Sequence, residues 1–589
     1  MYRSLFSRSS SAFRIFVGTY GVLFFFAVLA IANATGGRQP SAGTFDVVIL
    51  HGHIIDGTGS PWYSGDVGIR DGRIEAIGNL SGAHARQTID AHGMVVAPGF
   101  IDMLGQSELT IMVDPRAPSK IYQGITTEIT GEGDTVAPQT DATLAADAAE
   151  YKHYGLTPDW RTFTQYFARL RKQGIGINLG TYVGATQIRR DVIGTVDRDP
   201  TPAELVRMKS LVDQAMEQGA LGLSTALEYP PAPYAKTPEL IALAAESAKY
   251  GGIYATHMRN EGDGIMTALA EVVRIAREAK TSVEIFHLKA GGHPNWGRMP
   301  EIVKFIDDAR ASGLDISADT YAYTAWNNGL SAFIPPWAHD GGDEKLLARL
   351  KDPATRARIR KDMLTRSSAW DNEWQEVPGP EGILISTVLN PKLSSLEGKR
   401  ISEIAKQGIP AIGLPPNSDP IDTIFAILLA DDANTQVSVF AMSEPDVELA
   451  LKQPWVSIDN DYQATSPWGI LGQDHPHPRA YGTFPRILRK YVREEHLLTL
   501  PDAVRKFSAL AAQREHLIDR GVLKKGMWAD VVVFDPATIH DVATYENPNQ
   551  FSVGMKYVLV DGVPVIDDGK MTGARPGHVL FGPGYRGGS

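Results

Sequence analysis

The chain has 589 residues, 43% of them hydrophobic and 21% charged, with a formal net charge of −11 and no cysteine. That length exceeds one ordinary domain but suits an α/β barrel with insertions. The acidic balance argues against nucleic acid as a partner, and the missing thiols exclude disulfides, thiolate metal ligands and a cysteine nucleophile.

In chain order, Arg3, Arg8 and Arg14 precede an apolar run over residues 15–32, which closes on Ala32-Asn33-Ala34. A basic start, an apolar stretch and a small-x-small site are the layout of a secretory signal. The run is also long enough to anchor a chain in a membrane, but the well-placed small residues favour cleavage. Residues 1–34 are therefore expected to be a signal peptide. The protein is expected to be exported, to the periplasm or outside the cell, with no stable membrane association once the signal is removed.

Residues 44–98 read as short strands and turns. Phe45 to Ile49 and Asp66 to Ile69 are β-prone, and Asp71-Gly72 is a hairpin signal. Residues 520–582 repeat the style, with Ala529 to Phe534 and Val558 to Val565. One small β-domain assembled from both ends of the mature chain accounts for this symmetry.

Between them, residues 99–519 alternate strands and helices. Strand candidates begin at Gly99, Ile125, Ile177, Ala220, Ile253, Val283, Ile316 and Trp455. Thr237-Pro238 marks a helix start, with threonine as cap and proline at the first helical position. Ile265, Leu269, Val272, Val273 and Ala276 have helical spacing. Eight βα units predict a (β/α)8 barrel, whose chemistry gathers at the C-terminal strand ends. The gap before the eighth strand is too long for one helix. Its part from Trp326 to about Leu396, rich in Trp, Pro, Gly and charge, reads as an insertion over the barrel mouth.

The strand ends are polar. His257 and His287 close the fifth and sixth strands at equivalent points, so parallel pairing sets the two imidazoles side by side. Glu132 and Asp134 follow the second strand, Asp319, Tyr321 and Tyr323 the seventh, and Asp459 and Asp461 the eighth. Two histidines with one or two carboxylates suit zinc or a similar divalent ion. Such an ion lowers the pKa of a bound water to about 7, and a carboxylate can then move its proton. Taken singly, each of these residues has a plainer role as a cap or a hydrogen-bonding group. Their convergence on one face carries the metal reading.

Several long motifs add to this. They include Ala97-Pro98-Gly99-Phe100-Ile101-Asp102, the run from Tyr254 to Gly262, His287-Leu288-Lys289-Ala290, His475-Pro476-His477-Pro478-Arg479 and Thr572 to Gly577. Through them, residues 45 to 582 resemble the amidohydrolase superfamily, in its N-acyl-D-amino-acid deacylase branch. The resemblance implies a (β/α)8 barrel with a small β-sandwich made from both termini. It implies that His257 and His287 hold a tightly bound zinc and that Asp459 is the general base and acid. It implies further that Lys289 and Arg479 hold the substrate carboxylate, and that Tyr229 and either Tyr321 or Tyr323 lie near the substrate.

Two departures stand out. The family's His-x-His after the first strand is replaced by Leu104-Gly105-Gln106. The cysteine that deacylases carry after the second strand falls, by register, on Gly133 of Gly131-Glu132-Gly133-Asp134. The expectation is a one-metal version, with Glu132 in place of the thiolate and Asp134 as its competitor. This would also free an exported enzyme of an oxidisable ligand. The expected activity is hydrolysis of a small N-acylated amino acid, with the D preference implied by the resemblance alone. The alternatives are hydrolysis of another amide, dipeptide or cyclic amide on the same scaffold, or a non-catalytic binding protein.

Overall fold

The computed structural model describes residues 44–587; the expected signal segment lies outside them. Eight parallel strands form the barrel: β1 (Phe100–Asp102), β2 (Ile125–Thr130), β3 (Asn178–Thr181, continued by Val183–Gly184), β4 (Gly222–Ala226), β5 (Ile253–His257), β6 (Val283–Ile285), β7 (Ile316–Thr320) and β8 (Val456–Ile458). Neighbours pair in sequence order, with Thr127 opposite Asn178, Ala226 opposite His257, Thr256 opposite Ile285 and Thr320 opposite Ile458. The seam between β8 and β1 is closed by the Met103 N–H on the Ile458 carbonyl at 3.3 Å and the Asp461 N–H on the Leu104 carbonyl at 2.8 Å. Strands covered on both faces have no solvent side, and every residue of β2, β4, β5 and β7 is buried.

The helix Ile265–Ala279 buries Ile265, Ala268, Leu269, Val272, Ile275, Ala276 and Ala279. That is the i, i+3, i+4 stripe which lets a helix cover a sheet. It ends at Lys280 in the left-handed conformation (φ 55°). The helix Thr237–Ala248 starts one residue earlier than its sequence signal suggests. Lys236 takes the cap position, and the Thr237 hydroxyl donates to Glu271 at 2.7 Å instead of capping.

Lys120 is fully buried under the seam. Its ammonium donates to Asp102 at 2.7 Å and to the Tyr462 carbonyl at 2.7 Å, and lies 3.2 Å from Glu128. β1, β2 and the segment after β8 are thus tied by one charge that has no water to fall back on.

Both ends of the described chain build the β-domain. Its sheet runs through Lys570–Met571, Val563–Asp567, Met555–Val560, Val531–Phe534, Val95–Pro98, Phe45–Ile54, Tyr63–Arg70 and Arg73–Gly78, with Ala85–Asp90 beside Phe45–Ile54. The Asp71-Gly72 hairpin lies where the sequence placed it, and both residues take positive φ. The two ends meet where Val532 pairs antiparallel with Ala97, around a core that includes Val47, Ile69, Val531 and Leu559. Beyond this sheet the C-terminal tail lies along the barrel, with the Leu580 N–H on the Leu179 carbonyl at 2.8 Å.

The insertion after β7 runs past the expected end near 396. Trp326–Gly329 and Ile383–Thr387 pair antiparallel on either side of Gln436–Val439. The central strand of this small sheet comes last, so the unit cannot close before it. Among the described residues, no helix is long and apolar enough to cross a membrane.

Candidate metal centre

His257 is the last residue of β5, and its ring nitrogens have separate duties. Nε2 lies 2.9 Å from Glu228, while Nδ1 points inward to His287 Nε2 at 3.0 Å and Glu132 Oε1 at 3.1 Å. His287 lies two residues beyond β6 rather than at its end. It takes a positive φ of 37°, uncommon for a residue with a Cβ, and its backbone N–H is held by Asp319 at 2.5 Å. Asp319 thus fixes the turn that swings His287 inward.

Glu132 completes the group, with Oε1 3.1 Å from His287 Nε2. The three donor atoms form a triangle with edges of 3.0–3.1 Å. Ligands of a tetrahedral zinc with bonds of about 2.0–2.1 Å stand roughly 3.3 Å apart, so this donor set fits a divalent ion after a small relaxation. The outer groups fit as well. A carboxylate on the far nitrogen of a ligating histidine fixes its tautomer; Glu228 is so placed on His257, and Glu261 lies 3.2 Å from His287 Nδ1. Burial opposes ionisation of Glu132, but hydrogen bonds from both imidazoles overcome it and hold the carboxyl well below its usual range.

Both departures from the expected motifs have a structural counterpart. At Gly133 φ is 70°, and a Cβ there would fall 2.5 Å from the Ala226 amide nitrogen and 2.7 Å from the Ala226 Cβ. No side chain fits at that register position, whereas the preceding Glu132 reaches the imidazoles. Asp134 turns away and pairs with Arg190 at 2.6 Å. Leu104 is core. Gln106 donates from Nε2 to Glu132 Oε2 at 2.9 Å and to Asp461 at 3.0 Å. Where a second pair of histidines would stand, an amide instead steadies the carboxylate.

Asp459, just past β8, is fully buried, and among the described residues neither of its oxygens receives a hydrogen bond from an N–H or hydroxyl donor. Burial pushes its carboxyl up to about 7, with the neighbouring Asp461 adding to the rise and the Asp319 and His287 contacts opposing it. Lys289 pairs with Glu261 at 2.5 Å, and its ammonium lies 2.8 Å from His287 Nδ1. Arg479 pairs with Asp461 at 2.8 Å. Tyr321 lies against both cations, its ring centre 4.6 Å from the Arg479 guanidinium and 5.9 Å from the Lys289 ammonium. Tyr323 faces His477 and Tyr545 instead. The Tyr229 ring stands 4.9 Å from that of His257. The residues singled out in the sequence therefore come together, apart from Asp134 and Tyr323.

Sequence reasoning missed Gln106, Glu228 and Glu261 as supports. Their signals were faint: Glu228 stands two residues past β4, and Glu261 four residues after His257 in the same motif.

A match to the Amidohydrolase family covers residues 466–566. D-aminoacylase of Alcaligenes xylosoxydans xylosoxydans is 35% identical over 544 residues, which span 92% of this chain and 99% of that protein. The chain belongs to the D-aminoacylase branch of the amidohydrolase family. The crystal structure of N-acyl-D-glutamate deacylase from Bordetella bronchiseptica, complexed with zinc and a phosphonate mimic of the tetrahedral intermediate, aligns with this amidohydrolase at a TM-score of 0.75 and 32% identity, covering 92% of this chain and 100% of that one. A D-aminoacylase structure concerned with a binuclear metal centre, one-metal activation and second-metal attenuation aligns at 0.74 and 33%, covering 91% and 100%.

Proposed function

We propose that the chain hydrolyses the amide bond of N-acyl amino acids, of D configuration as for its relatives, to a carboxylate and a free amino acid. The observation that carries this reading is the Glu132–His257–His287 donor triangle with the buried Asp459 nearby. Those three residues would hold one divalent ion, zinc being the first candidate. When bound, the ion supplies Lewis acidity that polarises the acyl carbonyl and acidifies water.

The chain's own residues handle protons and binding. As water adds to the acyl carbon, Asp459 takes a proton from it, and it returns that proton to the amine nitrogen as the C–N bond breaks. A carboxyl near pH 7 is suited to both halves of that shuttle. Arg479 and Lys289 take the substrate carboxylate. Arg479 Nη1 is engaged by Asp461, but its Nε is buried and donates no hydrogen bond among the described residues, which leaves a donor for an incoming anion. Tyr229 walls the reacting end.

Export with removal of residues 1–34 belongs to the same proposal; the mature N-terminus, read by mass spectrometry of the secreted protein, tests it. The activity is tested by metal content together with hydrolysis of a panel of N-acetyl-D- and N-acetyl-L-amino acids. Asp459→Asn is expected to keep its metal and lose turnover. A metal-loaded enzyme that cleaves no member of the panel refutes the reading, and Asp459→Asn turning over at the wild-type rate refutes the proton role.

A further inference from the structure

The cavity beside the donor triangle has a volume of about 240 Å³ and is lined by Glu132, Glu228, Glu261, Asp371, Glu376 and Asp461 against a single lysine. Three of these carboxylates are accounted for. Glu132 belongs to the triangle, Glu261 has Lys289 and Asp461 has Arg479. Glu228, Asp371 and Glu376, with Glu373 hydrogen-bonded to Glu228, have no lysine or arginine partner among the described residues.

Burial makes this excess costly. Asp371 is 6% exposed, Glu373 1% and the Glu228 side chain 9%. Yet Glu228 Oε1, Asp371 Oδ1 and Glu373 Oε2 receive no hydrogen bond from an N–H or hydroxyl donor among the described residues; Glu373 pairs carboxyl to carboxyl with Glu228, and Glu376 with Asp371. The fold also makes room for Glu376. A Cβ at Gly262 would fall 1.7 Å from Glu376 Oε1, and one at Gly292 would fall 2.9 Å from its Cγ. Buried carboxyls left to pair with one another cannot all ionise, and a cationic donor answers both their charge and their lone pairs.

We propose that this acidic pocket, supplied mainly by the insertion, receives a cationic group of the substrate, an alkylammonium or a guanidinium. The inference rests on the N-acyl amino acid reading and narrows it. The preferred substrates carry a positive charge beyond the scissile amide, on the amino-acid side chain or on the acyl group. Burial, reinforced by neighbouring carboxylates, raises Glu373 and Glu376 and brings Asp371 to about 7. An entering cation lets these groups ionise against it.

The test compares kcat/KM of the metal-loaded enzyme on matched pairs. N-acetyl-D-lysine and N-acetyl-D-arginine are set against N-acetyl-D-norleucine and N-acetyl-D-glutamate for a side-chain cation, and 6-aminohexanoyl-D-alanine against hexanoyl-D-alanine for an acyl cation. One cationic series is expected to exceed its neutral partner by about tenfold or more, since a hydrogen bond to a charged group is worth that much. Asp371→Asn with Glu376→Gln is expected to lower that ratio, and the single Glu376→Gln to lower it in part. Cleavage of the neutral or acidic substrates without a cationic preference overturns this inference and leaves the deacylase reading standing. Cleavage of none, with metal bound, overturns both. A second equivalent of metal that binds wild type and is lost in the double variant would put an inorganic cation in the pocket and likewise overturn it.

Discussion

Moving the metal ligand to the register position where the resemblance implies a cysteine tests the site most directly. In Gly133→Cys the backbone keeps a φ of 70°, which costs a residue with a Cβ about 1–2 kcal/mol. The new Cβ sits 2.5 Å from the Ala226 amide nitrogen. Relieving that contact displaces the end of β4, an overpacking cost of about 1–3 kcal/mol. The expected loss of stability is therefore about 2–5 kcal/mol, with no gain in metal binding. Glu132→Gln should do the opposite. It preserves shape but removes the one anionic donor of the three. Zinc-finger sites bind with about 10–16 kcal/mol over four ligands, so one ligand is worth about 3 kcal/mol, more than a hundredfold in Kd. Chemical denaturation reads the first variant and chelator-competition titration the second. Wild-type stability in Gly133→Cys, or wild-type metal affinity in Glu132→Gln, refutes the assignment of Glu132.

Other consequences can be measured separately. Gln106→Leu removes the amide that holds Glu132 Oε2 and should weaken metal binding by about 10–100-fold, read by the same titration. Lys120→Met strands Asp102 and Glu128 under the barrel seam and should destabilise the fold by about 3–5 kcal/mol in denaturant. Burial lowers His339, in the insertion, to about 4 from 6.5. The unfolded chain therefore takes up that proton first as pH falls. Stability should drop between about pH 6.5 and 4, by roughly 3 kcal/mol from this group, and level off below. His339→Gln should flatten that part of the profile.

Much of the barrel could be read from the chain because buried parallel strands leave a plain mark: short apolar runs that end in polar residues. Ile125, Ile253, Val283 and Ile316 begin strands where expected, and the helix Ile265–Ala279 follows its stripe. Residues whose roles depend on distant chain segments were harder to see. Nothing local shows that a Cβ at Gly133 meets Ala226, or that Asp319 turns His287 inward. Asp371 and Glu376 lie in an insertion without periodicity, and only folding brings them to Glu228. The true length of that insertion hinged on Gln436–Val439, a four-residue strand too short to stand out.

The sheet that joins the two ends of the chain also bears on timing. Val95–Pro98 leads directly into the barrel, but its partner Val531–Phe534 is made more than 400 residues later, and β1 meets β8 only after the whole insertion has been synthesised. Contacts this far apart in sequence form slowly and late. A growing chain of this kind stays open until almost all of it has emerged, which suits passage through a narrow channel before folding. Under the export proposed above, an ion held by Glu132, His257 and His287 would be drawn from the compartment where folding finishes, not from the one where synthesis began.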